Sequence, residues 1–290
     1  MKKMLIAVSL IVVGVLAVGC MEGLMSGIMQ SDTELGHAAR VVGKSADAFR
    51  KIPFTEEQEY GRALTAQTFH AYGLFRAPEV EAYLNLVANT VAAYSDRPSI
   101  KYYVAILNDN ELNALSAPGG YIFVTWRILL TLEDEAELAG VLGHEIGHIA
   151  EKHVLDTMQN VKKKEALMEA VTGGDQNAFN GLIDGMMDGT FGAPFSRHQE
   201  VNCDRLGGVF ISKAGYDNEG MARALLRLKE VGAAKPGRYY GSLVERADGS
   251  LKYQKEKGKV QAGGVKLTER YQKMCVEPLK AALTSQKIKF

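Results

Sequence analysis

His144-Glu145-Ile146-Gly147-His148 is the stretch of this sequence with the clearest chemical content. Residues four apart on an α-helix are separated by about 40° around the axis, so the two imidazoles project from one face and can reach one metal ion. A catalytic zinc takes three protein ligands and keeps a position for water, whose pKa it lowers towards about 7. Glu145 is placed to accept a proton from that water and return it to a leaving amine. Five residues are only moderately specific, so the rest of the site has to be found elsewhere in the chain.

A metzincin would carry a glycine at 151 and a third histidine at 154, where Glu151 and Val154 stand. The gluzincin arrangement takes its third ligand from a carboxylate on a later helix, and Ser196-Arg197-His198-Gln199-Glu200-Val201-Asn202-Cys203-Asp204 supplies one. Glu200 can complete the zinc shell. Asp204, one turn on, can hydrogen-bond a ligand histidine from behind, which fixes its tautomer and raises its basicity.

With these pieces in place the sequence resembles the forty-eighth metallopeptidase family, the gluzincins that include HtpX-like, Oma-like and CAAX prenyl protease-like enzymes, and especially its periplasmic BepA/LoiP-like branch. The matching motifs are Asn113-Ala114 and Pro118-Gly119-Gly120, Glu137-Leu138-Ala139 leading into the histidines, then Ser196-Arg197, Glu200 and Asp204-Arg205-Leu206-Gly207. They cover roughly residues 50 to 230. The resemblance implies one Zn²⁺ per chain held by His144, His148 and Glu200, with Glu145 as general base and acid. It also implies that Tyr121, Ile122, Phe123, Val124 and Thr125 form the sheet edge on which an extended substrate pairs its backbone.

Two departures from the family stand out. Cys203 replaces the usual alanine, a small-for-small exchange that leaves zinc binding intact. Many relatives carry a His-Pro motif in the C-terminal third, yet no histidine follows His198 here. Tyr239 and Tyr240 are candidate substitutes, because a phenol can donate to an oxyanion; the alternative is two half-exposed tyrosines in a loop. His153, five beyond the second ligand, reads as a structural or dipole-complementing residue near the helix end.

The elements that must position these residues can be read from periodicity and capping. Thr55 and Gln58 make a capping-box pair before a helix running towards Tyr72, and Pro78 can open the next. Lys101 to Leu107 and Tyr121 to Thr125 read as strands. A helix from Leu132 carries the histidines, with Thr131 and Asp134 at capping spacing; Phe195 to Lys213 is a second, ended by Gly215, and Asn218 to Val231 a third. Pro236 to Gly264 is charged and glycine-rich and reads as a loop or hairpin, and Val265 to about Gln286 closes the chain as a helix. The segment 157–194 is rich in Gly and Met and reads equally as a mobile cover over the site or a loosely packed connection. The fold class expected is α+β: a mostly helical zincin-type metallopeptidase domain with a small β-sheet beside the motif helix.

Lys plus Arg and Asp plus Glu both number 34, so the balance points to no nucleic-acid or polyanionic partner. The first twenty residues differ: Lys2 and Lys3 precede an apolar, uncharged run from Met4 to Gly19 that ends at Cys20. Leu16-Ala17-Val18-Gly19-Cys20 resembles a bacterial lipobox, with Ala17 where leucine is usual. The domain reading is therefore a lipoprotein signal peptide over 1–20, a tether over 21–33, and a single peptidase domain over 34–290 that diverges from about 236. Met21 is not the aspartate that retains such proteins in the inner membrane, which implies an exported chain anchored by lipid in the outer membrane and facing the periplasm. The competing reading of the run is an uncleaved membrane anchor. If Cys20 carries lipid, Cys203 and Cys275 remain as an even pair, either a disulfide or two buried thiols.

The function expected is endopeptidase action on unfolded or misassembled cell-envelope polypeptides. One alternative is a non-catalytic periplasmic chaperone or assembly factor. A membrane-embedded prenyl-peptide protease is disfavoured because only one segment is apolar enough to span. Oligomeric state is not encoded in any motif.

Overall fold

A computed structural model describes residues 50–160, 195–232, 242–257 and 263–290 of the chain. The expected leader, tether and Cys20, most of the glycine- and methionine-rich segment, and Tyr239 and Tyr240 lie outside the described residues. The chain divides into two units: 52–157 with 183–290 form the larger, and 1–51 with 158–182 the smaller. In the smaller, the Gln159 side chain donates to the carbonyl of Arg50 at 2.9 Å. The larger unit carries the site.

Helix α1 (Phe54–Tyr72) starts behind Pro53, with no side-chain cap. Thr55 therefore lies inside the first turn, and the expected capping box does not form. Helix α2 (Pro78–Ala92) opens on its proline as expected, since the missing N–H is one that the first turn leaves unpaired anyway.

Among the described residues four strands form one mixed sheet: β1 (Leu74–Phe75), β2 (Tyr103–Leu107), β3 (Ala114–Ala117) and β4 (Tyr121–Thr125), in the order β1-β2-β4-β3. β4 runs parallel to β2, with Tyr103 opposite Tyr121, and antiparallel to β3, with Ala117 opposite Tyr121. This overturns the expectation that Tyr121 to Thr125 is an edge. β4 is paired on both sides, and the outer strand is β3. Where β1 stops, Asn85 and Asn89, one turn apart on α2, exchange hydrogen bonds with the backbone of Val104 and Tyr102.

The β3–β4 hairpin turns on Gly119 and Gly120, whose φ angles of 82° and 102° are open to glycine and costly for other residues. Glu57 of α1 holds this turn. Its carboxylate accepts from the Gly119 amide at 3.0 Å and from both terminal nitrogens of Arg97 at 2.7 and 3.0 Å.

After the short α3 (Trp126–Thr131), Asp134 caps α4 (Glu135–Ala150) by accepting from the Glu137 amide at 2.8 Å. Every residue of α4 from Glu135 to Ile149 is buried. Such a helix must be wrapped by other elements. α5 (Arg197–Lys213) lies along it, opened by a capping box between Ser196 and Gln199, with α6 (Gly220–Glu230) beside them. The two helices approach closely through glycine: a Cβ on Gly207 of α5 would lie 2.9 Å from the His144 amide nitrogen, and one on Gly143 of α4 would lie 3.1 Å from Gly207 Cα.

Residues 243–257 form a helix, α7 (Leu243–Lys257), where the sequence reads as a loop or hairpin. The chain closes with α8 (Thr268–Tyr271), a π-helical turn over Gln272–Val276 and α9 (Glu277–Ser285). Glu135, at the start of α4, accepts from Tyr83 of α2 at 2.7 Å, Tyr216 at 2.6 Å and Arg270 of α8 at 2.5 Å. One buried carboxylate thus ties three parts of the chain to the motif helix. No helix among the described residues is long and apolar enough to cross a membrane.

Candidate metal centre

The histidine pair projects from α4 as the four-residue spacing requires. The Nε2 atoms of His144 and His148 converge to 3.0 Å. Glu200, in the first turn of α5, completes the triangle: its two oxygens lie 3.6 Å from His144 Nε2 and 3.6 Å from His148 Nε2. With zinc bonds of about 2.0–2.2 Å, tetrahedral ligand atoms stand roughly 3.3 Å apart. The three donors therefore fit one ion within a few tenths of an ångström. Two neutral imidazoles and one carboxylate also match the donor set of a catalytic zinc site.

Asp204, one turn beyond Glu200, sits behind His144, its Oδ1 3.0 Å from His144 Nδ1. That contact directs the His144 proton to Nδ1 and leaves Nε2 as the donor atom. Burial alone would push His144 down, yet Asp204, Glu200 and Glu145 together hold it above its ordinary range. His148 goes the other way, held well below that range by burial and by His144, His153 and Arg246.

Glu145 is buried beside Ser116 of β3. Burial pushes its carboxyl up, against the opposing pull of His144 and the Ser116 hydroxyl. A raised carboxyl pKa suits a group that must both take and return a proton near neutrality.

Arg246 is a part of the centre that sequence reasoning missed. It reaches in from α7 and grips Asp204 with two hydrogen bonds of 2.7 Å, while Nη2 lies 3.0 Å from Glu200. The guanidinium holds the Asp204 carboxyl below its usual range despite burial. The buried face of α7 is Leu243, Arg246, Ala247, Ser250 and Gln254. Their spacing is helical, but three of the five are polar, and the apolar stripe of Leu243, Ala247 and the partly buried Leu251 is thin.

His153 is the second addition. It is buried, with Nδ1 3.0 Å from His148 Nδ1. Burial, then His144 and His198, lower its pKa to about 4. Phe195 stacks on His148 with ring centroids 4.3 Å apart.

The structure does not form the Cys203–Cys275 disulfide. Both thiols are free and buried. Cys203 lies against Gly147 in the metal centre, 3.6 Å from His153 Nδ1, whereas Cys275 sits in the π turn beside Tyr271. Burial pushes the Cys203 thiol up, so it stays protonated.

Residues 78–269, well over half of the chain, match the profile of peptidase family M48. The chain is 23% identical over 218 residues to the putative beta-barrel assembly-enhancing protease of Vibrio cholerae, covering 71% of this chain and 43% of that protein. It is 22% identical over 214 residues to the beta-barrel assembly-enhancing protease of Escherichia coli, covering 67% and 43%. To the mitochondrial metalloendopeptidase OMA1 of Arabidopsis thaliana it is 30% identical over 148 residues, covering 51% and 30%. The chain thus spans less than half the length of these relatives.

Proposed function

We propose, from the premise that this chain belongs to peptidase family M48, that it is a zinc endopeptidase acting on unfolded or misassembled cell-envelope polypeptides. The chain is a metalloprotease. The observation that carries the finer reading is the convergence of His144, His148 and Glu200 on one point beside the buried Glu145.

His144, His148 and Glu200 would hold the metal, which would polarise a scissile carbonyl and acidify a water. Glu145 takes a proton from the attacking water and delivers it to the leaving amine. Asp204 keeps the His144 ring oriented, and Arg246 locks Asp204 and Glu200 in register. β3, the outer strand of the sheet among the described residues, lies next to the Glu145 side of the site and is the edge on which an extended substrate would add as a further strand. Such backbone pairing requires a locally unfolded chain, which supports the substrate class. The oxyanion partner proposed is Tyr239 or Tyr240.

Glu145→Gln should keep one zinc per chain and lose casein cleavage by a factor of about 10²–10⁴, the usual scale of general acid–base catalysis. Undiminished, chelator-sensitive cleavage by that variant would refute the mechanism.

The leader and the Gly19-Cys20 junction support export and lipidation at Cys20, with an outer-membrane anchor facing the periplasm. Labelled palmitate should enter the protein and be lost in Cys20→Ser. Equal labelling of both would exclude Cys20.

A further inference from the structure

The two proposed ligand histidines are held from behind by different chemistry. His144 has the carboxylate of Asp204; His148 has the imidazole of His153. A histidine that binds metal through Nε2 carries its proton on Nδ1, and that N–H needs an acceptor. The atom 3.0 Å from His148 Nδ1 is His153 Nδ1. Two facing ring nitrogens at that distance share one proton, so His153 Nδ1 must be the bare nitrogen, with its own proton on Nε2.

The backbone shows how the ring is brought there. α4 ends at Ala150, Lys152 takes a φ of 59°, and a new helical stretch starts at His153. A non-glycine residue in the left-handed region is disfavoured and persists where the surroundings demand it. Here the reversal folds His153 back onto the helix it has just left. Phe195 packs against both rings, with centroids 4.3 Å from His148 and 5.7 Å from His153. Cys203 Sγ, 3.6 Å from His153 Nδ1, adds a weak contact.

We infer that His153 is a positioning residue of the metal centre: it accepts the His148 Nδ1–H, fixes that ligand's tautomer, and does so as a neutral group. The inference rests on the reading of His148 as a metal ligand. The same atoms, with Cys203, could in principle bind a second ion. That would require His148 to lose both ring protons, and the relay needs no such step.

The test is zinc affinity of the full chain, measured by chelator competition, with melting of the zinc-free forms as the fold control. His153→Phe keeps a ring and removes the acceptor; His153→Asn places an amide oxygen near the Nδ1 position. His153→Phe should weaken zinc about 10–100-fold, the usual cost of removing such a support, and His153→Asn should recover most of it. A His153→Phe affinity within about threefold of the parent would overturn the relay on that same scale. So would a His153→Asn variant as weak as His153→Phe, because packing alone would then explain both.

Nitrogen-15 NMR of the zinc-loaded parent needs no variant. His148 should be protonated at Nδ1 and His153 at Nε2, and a proton on His153 Nδ1 would sink the proposal. Thiolate-to-metal charge transfer in the cobalt-substituted protein would likewise overturn it, by placing metal on Cys203. If the parent binds no zinc that His148→Ala loses, the reading of the metal site fails rather than the relay alone.

Discussion

Replacing Gly207 by alanine perturbs the metal centre without touching any of its side chains. The new Cβ would stand 2.9 Å from the His144 amide nitrogen and 3.2 Å from the Gly143 carbonyl carbon, both backbone atoms that no rotamer change can move. Restoring ordinary contact requires α4 and α5 to separate by about 0.5 Å, and overpacking of this kind costs about 1–3 kcal/mol. Alanine is a better helix former than glycine by about 1 kcal/mol, which offsets part of that. A net loss of about 1 kcal/mol should lower the melting temperature by roughly 2–4 °C in a protein of this size. Gly249→Ala is the matched control: it lies in α7 with nothing within 4 Å of its added Cβ. It should gain about 0.5–1 kcal/mol and melt higher. Glu200 lies on the same helix as Gly207, and binding constellations tolerate displacements of only about 0.5 Å. Zinc affinity should therefore fall in Gly207→Ala, by about tenfold, and stay unchanged in Gly249→Ala. Thermal melts of the zinc-free proteins and chelator competition read both effects. If Gly207→Ala melts as high as Gly249→Ala and binds zinc like the parent, the helix approach does not set the site.

Arg246→Met should cost about 3–5 kcal/mol of stability, because it removes the guanidinium counter-charge of the buried Asp204 and Glu200; a loss below 1 kcal/mol by chemical denaturation would count against the role given to Arg246. Arg246→Lys should not restore it, since an ammonium cannot reproduce the two-pronged grip on the carboxylate. Glu135 gives a pH signature: against burial, Arg270, Tyr216 and Tyr83 hold its carboxyl below the ordinary range. Its folded pKa lies below the unfolded one, so it contributes stability present above about pH 4.3 and lost as pH falls through the depressed folded value. Glu135→Gln should be less stable than the parent at pH 7, with a gap that narrows on acidification, and a gap constant down to pH 3 would contradict the assignment.

The placement of the histidine pair and Glu145 was legible from their offsets on a strongly periodic helix, whereas Glu200 and Asp204 were picked out by the gluzincin arrangement on a helix that the Ser196 cap makes legible. α2, β2, β4 and α5 were legible for the same reason, through Pro78, the branched runs and the Ser196 cap. β3 escaped because Ala114-Leu115-Ser116-Ala117 is short and poor in strand formers. The edge role of Tyr121 to Thr125 was implied by the resemblance alone, and the sequence offered no reading of β3 to set against it. α7 escaped because its buried face mixes Leu243 and Ala247, which join the core, with Arg246, Ser250 and Gln254, of which Arg246 and Ser250 bond to α5. His153 was visible as a residue but not as a contact, since the reversal at Lys152 carries no glycine to announce it.

Arg246 has a consequence that reaches beyond its two hydrogen bonds. Among the described residues, three carboxyl groups, Glu145, Glu200 and Asp204, are buried together with one guanidinium, that of Arg246. With the imidazoles neutral the enclosure is two negative charges in excess, and a divalent cation makes it electroneutral. A low-dielectric interior does not tolerate the imbalance, so without the ion the enclosure recruits protons instead, which is the direction in which burial pushes Glu145. Loading the metal must then expel protons. The affinity for a doubly charged ion is written into the count of buried charges as well as into the ligand triangle, and it weakens as the solution becomes more acidic.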